Sequence, residues 1–257
     1  MNRSYYSWWS DRLHKEMELL VYGTEGYPVL VFPTSSGRFF DFEERGMVNS
    51  IADFIESEKI ILYAIDSLDR ESWDNSFKSP EEKAKRHEDY DKYVVHEVVP
   101  FINRRSSDPD RIITSGVSMG AFHAVNFLLR HPDCFDGTVA LSGIYNARFF
   151  LDNYQGDDLN VYYNSPVEYL PGLADEWYLH KYRRSDIYIC VGQGAWEEPM
   201  INDALCLKEM FGKKQIPAFV DFWGKDVNHD WSWWQKQLPY FFNLLLRKRG
   251  GFQPASD

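Results

Sequence analysis

Five residues constrain this chain more than any others: Gly116-Val117-Ser118-Met119-Gly120. The β-branched run Arg111 to Gly116 (R-I-I-T-S-G) leads into them, and the helical run Ala121 to Leu129 leads out. A glycine–x–serine–x–glycine pentapeptide between a strand and a helix demands a very sharp turn. The turn holds its serine in a strained backbone conformation, and flanking glycines avoid the clashes a Cβ would create. The serine Oγ then stands clear of the sheet, with the N-terminus of a helix beneath it to favour developing negative charge. By composition alone such a pentapeptide arises by chance on the order of 0.1 times in a chain of this length. The strand before it and the helix after it make it specific, and Ser118 is read as a nucleophile.

The rest of the chain supplies the sheet that such a turn needs. Tyr27 to Phe32, Lys59 to Ile65, Gly137 to Leu141, Asp186 to Val191 and Ala218 to Trp223 are continuous apolar runs of strand length. Runs of this kind fit strands buried on both faces of a parallel sheet. Between them, Met47 to Glu56 carries a helical apolar stripe, and Ser79-Pro80-Glu81-Glu82 opens a helix that could run to about Asn103. Ala121 to Leu129, Met200 to Phe211 and Trp233 to Leu246 complete the helices. Alternation of strand and helix predicts an α/β chain of α/β-hydrolase type, with a mostly parallel central sheet flanked by helices. Ser4 to Ser10 and Glu16 to Tyr22 are expected to add an N-terminal antiparallel edge pair. The tyrosine-rich stretch from about 145 to 184 has no clean period and is too long for a simple loop, so it reads as a short cap-like insertion. The 257 residues fit one domain, 1–257, with that excursion.

Composition narrows the chemistry. The formal net charge is −11 and no long basic run occurs, which argues against nucleic acid and against an anionic membrane surface. Cations at Arg247, Lys248 and Arg249 suit the end of a C-terminal helix. Cys134, Cys190 and Cys206 have no metal-type spacing and are expected as free thiols. With no apolar leader at the N-terminus and no membrane-length apolar stretch, a cytoplasmic protein is the expectation. No dinucleotide fingerprint, phosphate loop or metal site is recognised, so neither cofactor nor metal is expected; the lone Gly192-Gln193-Gly194 lacks a third glycine. Aromatic residues make up 17% of the chain, enough to fill a core and to line a pocket.

A serine hydroxyl needs a base within hydrogen-bond reach. Two histidines lie well past the elbow helix, His180 in the cap-like stretch and His229 between the last strand and the last helix. The order serine, acid, histidine selects His229, and His123 and His131 read as packing or capping residues. The acid is expected after the strand ending at Val191, where Glu197 and Glu198 both qualify; Asp226 is a third candidate beside the histidine. The oxyanion hole requires two backbone N–H groups, one from Met119 and one from the loop Pro33 to Gly37. The loop Asp66 to Trp73 is expected to border the substrate pocket. There Arg70 would clamp a substrate carboxylate or pair with Glu71 or a residue of the cap-like stretch, and Trp73 would add an aromatic wall.

Ser115 to Ala121, followed by Arg130-His131-Pro132-Asp133-Cys134-Phe135 and by Ala140-Leu141-Ser142-Gly143, resembles the esterase D-like putative esterase family. That family includes S-formylglutathione hydrolases, feruloyl esterases, enterochelin esterases and mycolyltransferases, and the resemblance runs from about Val21 to Leu246. It implies a triad of Ser118, His229 and an acid in the Gly194 to Glu198 loop. The glycine–x–glycine pattern with a glutamate four residues on implies Glu198, a choice that treats Glu197 and Glu198 as extended residues pointing to opposite sides. The His-Gly pair often found at the family's oxyanion loop is replaced by Pro33-Thr34, with Ser35 as the implied second donor.

The expected activity is hydrolysis of a small-molecule carboxylic ester through an acyl-enzyme. An acyltransferase would use the same residues with an alcohol in place of water, and an inactive binding module would keep only the fold.

Overall fold

The structure, a computed structural model, describes residues 1–106 and 111–250. Eight strands form one sheet: β1 Arg3–Ser10, β2 Lys15–Tyr22, β3 Tyr27–Phe32, β4 Ile60–Ile65, β5 Ile112–Val117, β6 Phe135–Leu141, β7 Asp186–Val191 and β8 Ala218–Phe222. Their order is β1-β2-β4-β3-β5-β6-β7-β8. Neighbours from β4 through β3 to β8 pair in parallel, while β1 and β2 join antiparallel at one edge.

Successive residues of a strand face opposite sides, so a strand buried on both faces needs apolar residues throughout. In β3, Leu30 and Phe32 enter a core shared with the helices Pro80–Tyr93, Met119–Arg130 and Glu198–Lys213. Val29 and Val31 enter the opposite core, which is closed by Met47, Val48, Ile51 and Ile55 and by the C-terminal helix Trp231–Lys248. Helix, sheet and helix therefore stack in three layers, and every parallel strand delivers its C-terminal end to one edge.

Two helices depart from the sequence expectation. The stripe from Met47 to Glu56 forms two short helices, Met47–Ser50 and Ala52–Glu56, interrupted where Ile51 adopts φ −116° and ψ 15°. Met47, Val48, Ile51 and Ile55 of the stripe are buried, and Phe54 packs against them partly exposed. The helix from Pro80 opens with a full capping box, in which Ser79 and Glu82 satisfy each other's backbone N–H. It widens into a π-helical turn at Val94–Val98 before Val99–Asn103. Pro100 lacks the N–H that would reach back to residue 96, and the wider turn absorbs that missing bond.

The segment from 145 to 184 is a set of short helical elements: Ala147–Leu151, Leu159–Tyr163, Pro166–Gly172 and Glu176–Arg184. Aspartate or asparagine side chains cap three of them. Asn164 holds the set to the elbow helix through Asn126 (2.6 Å) and Arg130 (2.7 Å), and Tyr182 Oη donates to Leu129 O. Among the described residues no disulfide joins Cys134, Cys190 or Cys206. At the C-terminus, Arg247 and Lys248 end the helix as expected, whereas Arg249 turns inward and pairs with Asp186 at 2.7 Å and Asp136 at 3.0 Å. Among the described residues no helix is long and apolar enough to cross a membrane.

Candidate active site

Ser118 sits between β5 and the helix Met119–Arg130 with φ 56° and ψ −124°, a conformation that side-chain-bearing residues rarely adopt. Two close approaches explain the glycines around it. A Cβ on Gly116 would overlap the backbone of Gly120, and a Cβ on Gly120 would overlap the carbonyl oxygens of Phe32 and Pro33. Gly120 thus lets the loop after β3 lie directly against the turn. Gly120→Ala is expected to cost about 2 kcal/mol or more by overpacking backbone that cannot yield. Thermal unfolding would register this as a fall in Tm of roughly 4–8 °C.

The loop after β8 brings His229 to this serine, with Nε2 2.9 Å from Ser118 Oγ. The loop after β7 is fastened alongside. Gly194 N–H donates to Val227 O (2.8 Å), Ala195 N–H to Asn228 Oδ1 (2.8 Å) and His229 N–H to Ala195 O (3.0 Å). Trp234, on the first turn of the C-terminal helix, packs its ring edgewise on the imidazole with centroids 4.8 Å apart.

Glu197, not Glu198, stands behind the histidine. Its side chain is fully buried, with Oε2 3.7 Å from His229 Nδ1. That is ion-pair distance but beyond hydrogen-bond reach, and neither atom has another hydrogen-bond partner. Glu197 Oε1 accepts from Ser142 Oγ at 2.6 Å, and Ser142 Oγ accepts from Trp234 Nε1 at 3.0 Å. Glu198 is exposed and begins the helix Glu198–Lys213, where its charge suits the helix N-terminus. The expectation of Glu198 assumed an extended stretch. Trp196 instead takes φ 69° and Glu197 φ −100°, ψ −7°, a turn that aims Glu197 inward. Asp226 is exposed.

The loop after β3 is braced from two sides. Thr34 N–H and Oγ1 both donate to Asp41 Oδ2, while the hydroxyls of Ser35 and Ser36 donate to Asp74 Oδ2 at 2.6 and 2.8 Å. The Ser35 N–H has no hydrogen-bond acceptor among the described residues. Met119 opens its helix, where N–H groups have no partner within the helix.

Trp73 does not line an open pocket. It is 1% exposed, packed against His87, Phe122 and Phe150, because the 3₁₀ turn Asp69–Glu71 directs the chain beneath Ala147, Leu151 and Val161. Arg70 is exposed and borders a cavity of about 280 Å³ with Ser36, Gly37 and Asp66. It does not pair with Glu71, whose carboxylate is taken by Lys15 (2.6 Å) and Arg86 (2.7 Å). His123 and His131 are held by Asp69 and Asp91 at 3.0 and 2.8 Å, and exposed His180 lies on the helix Glu176–Arg184. Sequence reasoning gave no role to Ser142 or Trp234. Ser142 was visible only as the residue following β6, and its φ of 56° has no signal in the sequence. Among the described residues no group of three or more His, Cys, Asp or Glu is placed to hold a metal ion.

A family model described as "Putative esterase" matches residues 10–243. The chain belongs to this esterase family. Solved structures agree on the fold. A ferulic acid esterase superposes with TM-score 0.73 at 20% identity, covering 96% of this chain and 98% of that one. An S-formylglutathione hydrolase from Agrobacterium tumefaciens gives 0.70 at 13% identity over 94% and 93%. MPT51 from Mycobacterium tuberculosis gives 0.66 at 13% identity over 96% and 98%. At such identities the likeness establishes the fold, which is that of the α/β-hydrolases. No curated protein sequence matches the chain.

Proposed function

We propose that this esterase-family chain hydrolyses a small-molecule carboxylic ester through an acyl-enzyme on Ser118, with His229 as base and Glu197 as the acid behind it. The observation that carries the reading is the 2.9 Å approach of His229 Nε2 to Ser118 Oγ on a strained strand-to-helix turn. That distance and connectivity suit proton transfer from hydroxyl to imidazole.

In the proposed cycle His229 takes the Ser118 proton as Oγ attacks the ester carbonyl. The N–H groups of Met119 and Ser35 hold the resulting oxyanion, in keeping with the free Ser35 N–H and the bracing of its loop. Collapse of the tetrahedral intermediate breaks the bond to the alcohol, which leaves with the proton from His229. Water then gives a proton to His229 and attacks the acyl carbonyl, releasing the carboxylic acid and restoring Ser118. Glu197 offsets the imidazolium charge in both halves and keeps the neutral tautomer with its proton on Nδ1. Trp234 fixes the imidazole from its side, and Ser142 keeps the Glu197 carboxylate turned toward it. Arg70 is proposed to meet an anionic portion of the substrate.

An alkyl fluorophosphonate tests the nucleophile directly. The expected result is one adduct per chain, on the peptide carrying Ser118, and none on Ser118→Ala. A folded protein that takes up no label, or takes it up elsewhere, overturns the assignment.

A further inference from the structure

We propose that two copies of this chain associate edge to edge through β1, antiparallel about a twofold axis at Ser7, so that their sheets continue as one. β1 ends the sheet, and its outer N–H and C=O groups face no strand among the described residues. Such edges template pairing with other chains, and proteins usually blunt them with charge, proline, bulges or short length. The opposite edge follows this rule: β8 has five residues, carries Asp221 and is preceded by Pro217. β1 does not. It has eight residues, pairs with β2 without a bulge, and carries neither charge nor proline from Ser4 to Ser10.

The occupant is identified by the strand's own pattern. A twofold axis normal to the sheet keeps each face on its side, so opposed residues must share parity along the strand. With the axis at Ser7, Tyr5 lies opposite the partner's Trp9, Tyr6 opposite Trp8, and Ser4 opposite Ser10. Arg3 then meets Asp11, and the symmetry repeats each contact. Tyr5 and Trp9 are the exposed aromatics of this strand, at 52% and 61%. Aromatic pairs and opposite charges directly across are the combinations that stabilise antiparallel neighbours. Asp11 has no ion pair among the described residues, and Arg3 uses only two of its donors on Glu43. A chain of net charge −11 would repel its copy at most surfaces, but from Ser4 to Ser10 this strand carries no charge of its own, and the neighbouring Glu16, Glu18 and Glu97 accept hydrogen bonds from its side chains.

Room for the second strand is present. A hollow of about 860 Å³ borders Tyr6, Ser7, Trp8 and Trp9 in succession and is also lined by Glu97, Pro100 and Phe101. Consecutive residues point to opposite faces, so the hollow follows the open side of the strand rather than one face of it.

Sedimentation equilibrium and cysteine crosslinking test the proposal together. The wild type is expected to dimerise. Trp9→Lys, at an exposed site, is expected to keep the native circular dichroism and raise the dissociation constant by at least about tenfold, since the lost pair occurs twice. Residues directly opposite in an antiparallel pair have Cα atoms about 4.5–5.5 Å apart, within disulfide span. Ser7→Cys is therefore expected to give a reducible covalent dimer under oxidised glutathione, above the background of the parent protein. Tyr6→Cys and Trp8→Cys are not. A wild type that stays monomeric at high micromolar concentration overturns the proposal, as does a dimer that Trp9→Lys leaves intact. Crosslinking through Tyr6→Cys in place of Ser7→Cys would overturn the register.

Discussion

A folded Ser118→Ala protein is expected to lose ester turnover by roughly four to six orders of magnitude, with little change in Tm. The size of the loss follows from the proposed route. Without Oγ there is no acyl-enzyme, and His229 has no serine hydroxyl proton to remove. What survives comes from the oxyanion donors and substrate binding, which in comparable enzymes leave rates of about 10³–10⁴ over water. Stability is expected to hold because the backbone strain at position 118 belongs to the turn and not to the hydroxyl. The measurement is kcat/KM for a chromogenic ester, with circular dichroism and a melting curve as folding controls. Near wild-type activity in a folded variant would remove Ser118 from the mechanism.

Glu197→Gln is expected to lower kcat by roughly two to four orders of magnitude, while Glu198→Gln changes it by less than about threefold. Glutamine preserves the shape at position 197 but removes the charge that offsets imidazolium, and its amide can turn an N–H toward Nδ1 and select the wrong tautomer. The carboxylate is fully buried and its Oε2 lies 3.7 Å from Nδ1. Contacts of this kind commonly tighten when substrate is bound. Glu198 is exposed at the head of its helix, where losing one charge alters only a favourable dipole contact of about 0.3–1 kcal/mol. The two single variants, assayed for kcat and KM separately, decide the matter. A larger loss at Glu198 reverses the roles, and small losses at both leave Ser118 and His229 acting without a carboxylate. Adding acceptor alcohols to the wild-type assay asks a separate question, because transfer products would show an alcohol replacing water in the second half of the cycle.

Which features were legible in the sequence follows from their physics. Parallel strands buried on both faces must be apolar at consecutive positions, so Tyr27–Phe32 and Asp186–Val191 match their predicted limits residue for residue. The turn at Ser118 was legible because backbone crowding admits only glycine at positions 116 and 120. The choice between Glu197 and Glu198 was not, because it depends on one backbone angle, the positive φ of Trp196, which a tryptophan does not advertise. The segment from 145 to 184 hid its helices because elements of five to nine residues complete too few turns to show a period. Trp73 misled for a related reason. An aromatic residue next to a polar loop looks like a pocket wall, and only the packing of Ala147, Leu151 and Val161 against it decides that it is core.

The three hydrogen bonds that fasten the Gly194–Ala195 stretch to Val227, Asn228 and His229 make one cassette of two loops more than thirty positions apart in the chain. A change in the length of either loop displaces both Glu197 and His229, so neither can drift alone. Grafting one loop from a relative is therefore a different operation from grafting the pair. The single graft breaks the seam, whereas the matched graft carries its own spacing with it. Changes outside the seam, such as among the exposed residues around Phe77 and Phe149, leave that spacing untouched.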